Sequence, residues 1–173
     1  MECRLDEARQ ILQRTPGVLR TMLDGLSDVW LLPNEGAETW SPRDVVAHLV
    51  GAERDLWIPR TRHLLEFGED APFPPFNRTA EIVASAERPV HDLLLEFAHL
   101  RHDSLQALDA LRLSPSQLDR TGTHPEFGVV RLHDLMATWV VHDLSHTAQI
   151  VRVMAMQYRD EVGPWRSNLR VIR

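Results

Sequence analysis

The chain has 173 residues, 43% apolar and 25% charged, a balance that suits a folded globular protein and excludes disordered and fibrous classes. A net charge of −6 argues against a phosphate-tracking surface, so no nucleic-acid partner is expected. No apolar run reaches the roughly 20 residues of a membrane span, and the polar stretch Met1–Gln10 is unlike a leader, so a cytoplasmic location away from membranes is expected.

One domain over residues 1–173 is expected, since a chain of this length buries roughly 70% of its unfolded surface. The single Cys3 cannot form an internal disulfide, which agrees with a reducing compartment and excludes cysteine-ligated zinc motifs. All 19 basic residues are arginine, which removes lysine Schiff-base chemistry from consideration.

In chain order, Leu5, Ala8, Ile11 and Leu12, then Val18, Leu19, Met22 and Leu23, recur at helical spacing, with Thr15-Pro16-Gly17 between them. This predicts a first helix in two pieces, the second capped by Thr15 with Pro16 at its first position. A turn-rich connection over residues 31–39 follows. Ser41 as cap, Pro42 at the first position and Asp44 three residues after the cap then open a second helix, Pro42–Phe67. Pro59 should kink it, because its ring removes a donor and crowds the carbonyl of Asp55.

The stretch Ala71-Pro72-Phe73-Pro74-Pro75-Phe76-Asn77 is too proline-rich for a helix or central strand. Its phenylalanines suit the rim of a core or the end of a pocket. A short helical piece is predicted over Arg78–Glu87. Pro89 starts a third long helix with the stripe Val90, Leu93, Leu94, Phe97, Leu100, Leu105, Leu108 and Leu111. Ser114-Pro115 opens a single capped turn, and residues 119–128 read as a loop. A fourth helix carries Leu132, Leu135, Met136, Trp139, Val140, Ile150, Val153 and Met154 and ends before Gly163-Pro164. Four amphipathic helices without a strand-rich segment predict an all-α four-helix bundle, a fold whose metal sites are built from facing helices.

His142 and His146 stand four residues apart on that fourth helix, so their imidazoles share a face and lie close enough for one ion. A third ligand must come from elsewhere, and His48, flanked by Val45, Leu49 and Ala52, should point inward from the second helix. The other reading of each residue is a satisfied core histidine. His91, His99 and His102 fall off the apolar stripe and read as solvated, and His133 lies about half a helical revolution from His142. The spacing does not orient His63 or His124. Asp143 occupies the place of the zinc-protease glutamate; it reads as a partner that orients a ligand imidazole through its other nitrogen. Asp55 and Gln149 are pocket candidates, and Arg54 and Arg60 are candidate anion contacts at its mouth.

Trp40-Ser41-Pro42 followed by His48, then Gly128-x-Val130-x-Leu132, Trp139, His142-Asp143, His146 and Gln149-Ile150, resembles the DinB/YfiT-like superfamily of metalloenzymes. The resemblance runs from the first helix to about Val153. It implies an up-down-down-up four-helix bundle with a divalent ion (zinc, nickel, iron or manganese) on His48, His142 and His146, and a homodimer. It also implies a thiol-dependent S-transferase or isomerase that uses a low-molecular-weight thiol such as bacillithiol or mycothiol. Arg131 departs from the threonine common in relatives at the start of the fourth helix, which puts its first turn in question.

Three neutral imidazoles leave an ion with open positions. A thiol on the ion would give S-transfer or isomerisation of a small-molecule substrate; a water there would give a metal-dependent hydrolase. The rivals are a non-enzymatic metal-binding or stress-related interaction module, which a fourth protein ligand such as Asp55 would favour, and a metal-free bundle that holds a small hydrophobic ligand.

Overall fold

The computed structural model describes residues 4–173; Cys3 lies outside them. The elements in order are α1 Leu5–Leu12, α2 Thr15–Leu23, α3 Asp28–Leu31, α4 Pro42–Asp55, α5 Trp57–Phe67, α6 Ala80–Ala84, α7 Val90–Leu111, α8 Pro115–Leu118, β1 Thr121–His124, β2 Gly128–Arg131 and α9 Leu132–Met156. Two 3₁₀ turns, Gly163–Asn168 and Arg170–Ile172, follow. No helix of the described residues is long and apolar enough to cross a membrane.

The expected four helices are α1 with α2, α4 with α5, α7, and α9. Thr15 is not a cap: its hydroxyl donates to the Ile11 carbonyl at 3.2 Å, and Gln13 and Arg14 before it keep right-handed helical dihedrals. Ser41 is a cap. Its hydroxyl accepts from the Asp44 amide at 3.1 Å, and the Asp44 carboxylate accepts from the Ser41 amide at 3.0 Å, satisfying two donors that a helix start leaves orphaned. Pro59 acts as predicted, though as a break rather than a bend: Leu56, at φ −112° and ψ −66°, separates α4 from α5. Arg131, the departure noted above, still starts α9 well, because the Asp134 carboxylate accepts its amide at 2.9 Å and pairs with its guanidinium at 2.8 Å.

Cross-links set the helix directions. Arg9 pairs with Asp109 and Asp24 with His91, so the first bundle helix runs antiparallel to α7. Arg43 bonds the Arg88 carbonyl and Glu53 bonds Arg101, so the second runs parallel to α7. His48 meets His142 while Trp57 stacks on Trp139, so α9 runs against the second. The result is the up-down-down-up order. Each helix packs on two others in a ring, α1/α2 to α7 to α4/α5 to α9 and back, which leaves consecutive helices one-two and three-four on the diagonals.

A parallel pair needs a long crossover, and residues 68–89 supply it. Helix α6 lies on α4 where Gly51 offers no side chain: a Cβ there would stand 2.9 Å from Glu81 Cβ.

Residues 119–128 correct the expectation of a plain loop, since β1 and β2 form an antiparallel hairpin with Thr121 opposite Arg131 and His124 opposite Gly128. A two-stranded ribbon is marginal alone. This one is anchored by the Phe73 amide on the Thr123 carbonyl and the Leu132 amide on the Arg120 carbonyl, both at 2.9 Å.

The apolar core falls into two clusters. One gathers Leu12, Trp57, Leu64, Leu105, Leu132 and Trp139; the other gathers Leu19, Leu23, Val46, Leu93, Phe97 and Ile150. Between them lies a polar layer of Glu53, Arg101, Asp143 and the three histidines. There Arg101, 1% exposed, makes two bonds to Asp143, at 2.6 and 2.9 Å, one to Glu53 at 2.7 Å and one to the Leu12 carbonyl at 2.7 Å. Trp139 Nε1 donates to the same Glu53 oxygen at 3.0 Å. Burial pushes the Glu53 carboxyl up against the pull of Arg101, whereas the two carboxylates outweigh burial and hold the guanidinium charged.

Candidate metal centre

The capped start of α4 and the packing of Val45, Leu49 and Ala52 turn His48 inward, and it is 3% exposed. On α9 the four-residue spacing brings His142 and His146 rings to 4.4 Å, and His48 lies 5.2 and 4.8 Å from them. One nitrogen of each falls within 4.8 Å of the other two. His48 Nε2 stands 3.0 Å from His142 Nε2; donors around a tetrahedral ion with roughly 2.1 Å Zn–N bonds are about 3.4 Å apart, so a small adjustment would suit all three to one ion.

Hydrogen bonds fix which nitrogens face inward. The Arg78 carbonyl lies 3.0 Å from His48 Nδ1 and only accepts, so Nδ1 carries the proton and Nε2 keeps its lone pair. Gln149 Oε1 accepts from His146 Nδ1 at 2.9 Å, with the same result. His142 Nδ1 is buried with no hydrogen-bond partner. Burial holds the His48 pKa down to about 4 and that of His142 to about 2, and it lowers His146 as well; the mutual repulsion of the imidazolium charges works in the same direction on the first two. Three neutral imidazoles whose ring nitrogens converge form a donor set suited to a divalent ion.

Beside the cluster opens a cavity of about 850 Å³. Trp40 lies 4.6 Å from His48 and 5.9 Å from His146, Phe76 lies 6.1 Å from His48, and the Trp57 ring edges His142 at 5.1 Å. Phe73 and the hairpin's His124 also line it, so the proline-rich loop contributes a wall as well as core packing.

Of the sequence candidates, Gln149 lines the cavity and orients His146. Asp143 bonds no imidazole: it is fully buried, and both of its carboxylate oxygens accept from Arg101. Asp55 is also displaced, because it is the last residue of α4, where the helix breaks, and its side chain is exposed and outside the cavity. Arg54 pairs with Glu81 and Glu96, away from the site, while Arg60 lines it. His91, His99 and His102 are exposed as expected, and His133 stands apart from the cluster. Sequence reasoning missed the Arg78 carbonyl, which no side-chain pattern encodes. It also missed the wall role of Trp40, whose position directly before the Ser41 cap was the available signal.

A family model for the DinB superfamily matches residues 11–150. This chain belongs to the DinB superfamily. Among solved structures, this DinB chain is similar to YfiT from Bacillus subtilis, described as a probable metal-dependent hydrolase with an unusual four-helix bundle topology. The two share 22% identity over 88% of this chain and 87% of YfiT, with a TM-score of 0.74, a likeness of fold. No curated protein sequence matches.

The depressed imidazoles of this DinB protein predict an acid-sensitive fold. The unfolded chain takes up protons at these residues near pH 6.5, the folded chain not until about 4 at His48 and about 2 at His142. Unfolding therefore binds protons between those limits, and stability is lost as pH falls from 6.5 toward 4, at up to about 1.4 kcal/mol per pH unit per histidine. Urea midpoints of the metal-free protein at pH 7.5, 6 and 5 should fall in that order; a flat profile would contradict the burial of neutral imidazoles.

Proposed function

We propose that this DinB protein is a metal-dependent hydrolase of small organic molecules, with a divalent ion held by Nε2 of His48, His142 and His146. The observation that carries the reading is the size of the cluster. Among the described residues no further His, Cys, Asp or Glu completes the group, and Asp55, the fourth ligand that a closed site would have used, faces solvent elsewhere. Three protein ligands beside an open cavity is the pattern of a catalytic site rather than a structural one.

A bound ion supplies Lewis-acid activation, lowering the pKa of a water or thiol and polarising a carbonyl. The chain does the rest. Arg78 and Gln149 hold two imidazoles in the tautomer that leaves Nε2 free, and Trp40, Trp57 and Phe76 set apolar rings beside them. The description of YfiT supports hydrolysis as the reaction. The second reading, thiol-dependent S-transfer or isomerisation, draws support from the cavity: about 850 Å³ lies near the upper end of ligand pockets, with room for a small thiol and an electrophile together.

Elemental analysis before and after chelation, then assays of activated esters and amides with and without added thiol, tests both. The expected outcome is about one divalent ion per chain, with hydrolysis lost on chelation and restored by one of zinc, nickel, iron or manganese. Turnover only with a thiol would favour the second reading, and no uptake of any ion would return the histidines to core residues.

A further inference from the structure

Of the three arginines that line the cavity, Arg60 and Arg78 form no ion pair, although Glu35, Glu38, Glu126 and Asp134 line it too. Arg60, on α5, is half-buried; its guanidinium lies 5.1 Å over the Phe73 ring and reaches only the Pro74 carbonyl, at 3.5 Å. Arg78 lines the same space, near enough for its charge to oppose protonation of His48. Neither guanidinium forms an ion pair among the described residues. The third cavity arginine, Arg152, is answered by Glu35, and the buried Arg101 by Glu53 and Asp143, whereas exposed arginines such as Arg14, Arg62 and Arg112 stand in water.

For Arg60, unlike the exposed Arg78, the lack of a partner has a physical cost. A cation partly withdrawn from water loses hydration that an ion pair would replace, and burial accordingly lowers the Arg60 pKa. Glu126, at the hairpin tip, acts on it from a distance but stays exposed and unpaired with it. An anion that enters the cavity meets a planar fork suited to two-point carboxylate binding. Four aromatic rings, Trp40, Trp57, Phe73 and Phe76, line the same cavity. A ligand that satisfies both features carries its charge at one end of a flat apolar body.

Resting on the metal-centre reading, we propose that the cavity selects small carboxylates with an aromatic or similarly flat body, the carboxylate held by Arg60, with Arg78 as the second cation facing it. The body lies against the aromatic walls and directs the group to be cleaved toward the histidines. Arg60 is thereby a specificity residue rather than a catalytic one.

Calorimetric titration of the full chain with 3-phenylpropionate and its neutral amide tests this, on metal-free and zinc-loaded protein. In the metal-free protein the acid should bind about tenfold tighter than the amide. That preference should vanish in Arg60→Gln, shrink in Arg78→Gln, and persist in Arg159→Gln, an exposed arginine outside the cavity. Equal binding of acid and amide to the unmodified metal-free protein overturns the proposal, and so does a preference that survives Arg60→Gln. A preference seen only with zinc would place the carboxylate on the ion and overturns it as well. Failure of the metal reading appears separately, as absence of zinc uptake, and leaves the metal-free comparison intact. That comparison, with Arg78→Gln, decides the matter even if Arg60→Gln does not fold.

Discussion

In His142→Ala, zinc affinity is expected to fall by about a hundredfold or more, while circular dichroism keeps its helical amplitude. His142 stands 3.0 Å from His48 through Nε2, and its ring lies 4.4 Å from that of His146. Its Nδ1 bonds nothing, so truncation leaves no backbone acceptor without its donor. His48→Ala should lose zinc equally but cost more stability, because the Arg78 carbonyl then loses the donor at 3.0 Å. Competition with a chelating dye measures the first effect and urea unfolding the second. Undiminished affinity in both variants would remove the three-histidine site.

Arg101→Ala should be the most destabilising single change in the bundle, at about 3–5 kcal/mol. The guanidinium is 1% exposed and answers two carboxylates, themselves 3% and 0% exposed. Without it, Glu53 and Asp143 remain as like charges in a dry layer, and the Leu12 carbonyl loses a donor. Replacing the group together, as Arg101→Met with Glu53→Leu and Asp143→Leu, should recover much of the loss, since no charge is then left behind. Recovery would be partial, because Trp139 Nε1 loses its acceptor. Urea unfolding of both proteins is the check; a loss below about 1 kcal/mol for Arg101→Ala would place the guanidinium in water rather than in the core.

The four helices were legible because their apolar residues repeat at a single period and their starts carry local chemistry, as Ser41 and Asp44 show. The histidine pair was legible for the same reason: four residues on a helix is a distance. The hairpin was not, since Thr121–His124 and Gly128–Arg131 are too short to establish alternation and depend on distant anchors at Phe73 and Arg120. Asp55 failed because facing was extrapolated past the end of a helix that stops there.

The role of Asp143 was misread from its neighbour in sequence, when its helical neighbours told more. It stands four residues after Trp139 and seven before Ile150, as Glu53 stands four after Leu49 and Arg101 four after Phe97. Three charges on core stripes of three different helices were a readable sign of a buried ionic layer. Which charge meets which was not readable, because that depends on the ring order of the helices.

That ring order bears on how the molecule folds. Of its four adjacent helix pairs only the second and third helices are consecutive in the chain; the rest join segments far apart, and the His48–His142 contact spans 94 residues. Loop-closure entropy is therefore met before most packing rewards it, and folding should be slower than in an up-down-up-down bundle of equal length. The histidines cannot act as an early local nucleus. Their convergence requires the docking of α9 on α4, so the rate at which the folding chain acquires an ion-binding site reads out that docking.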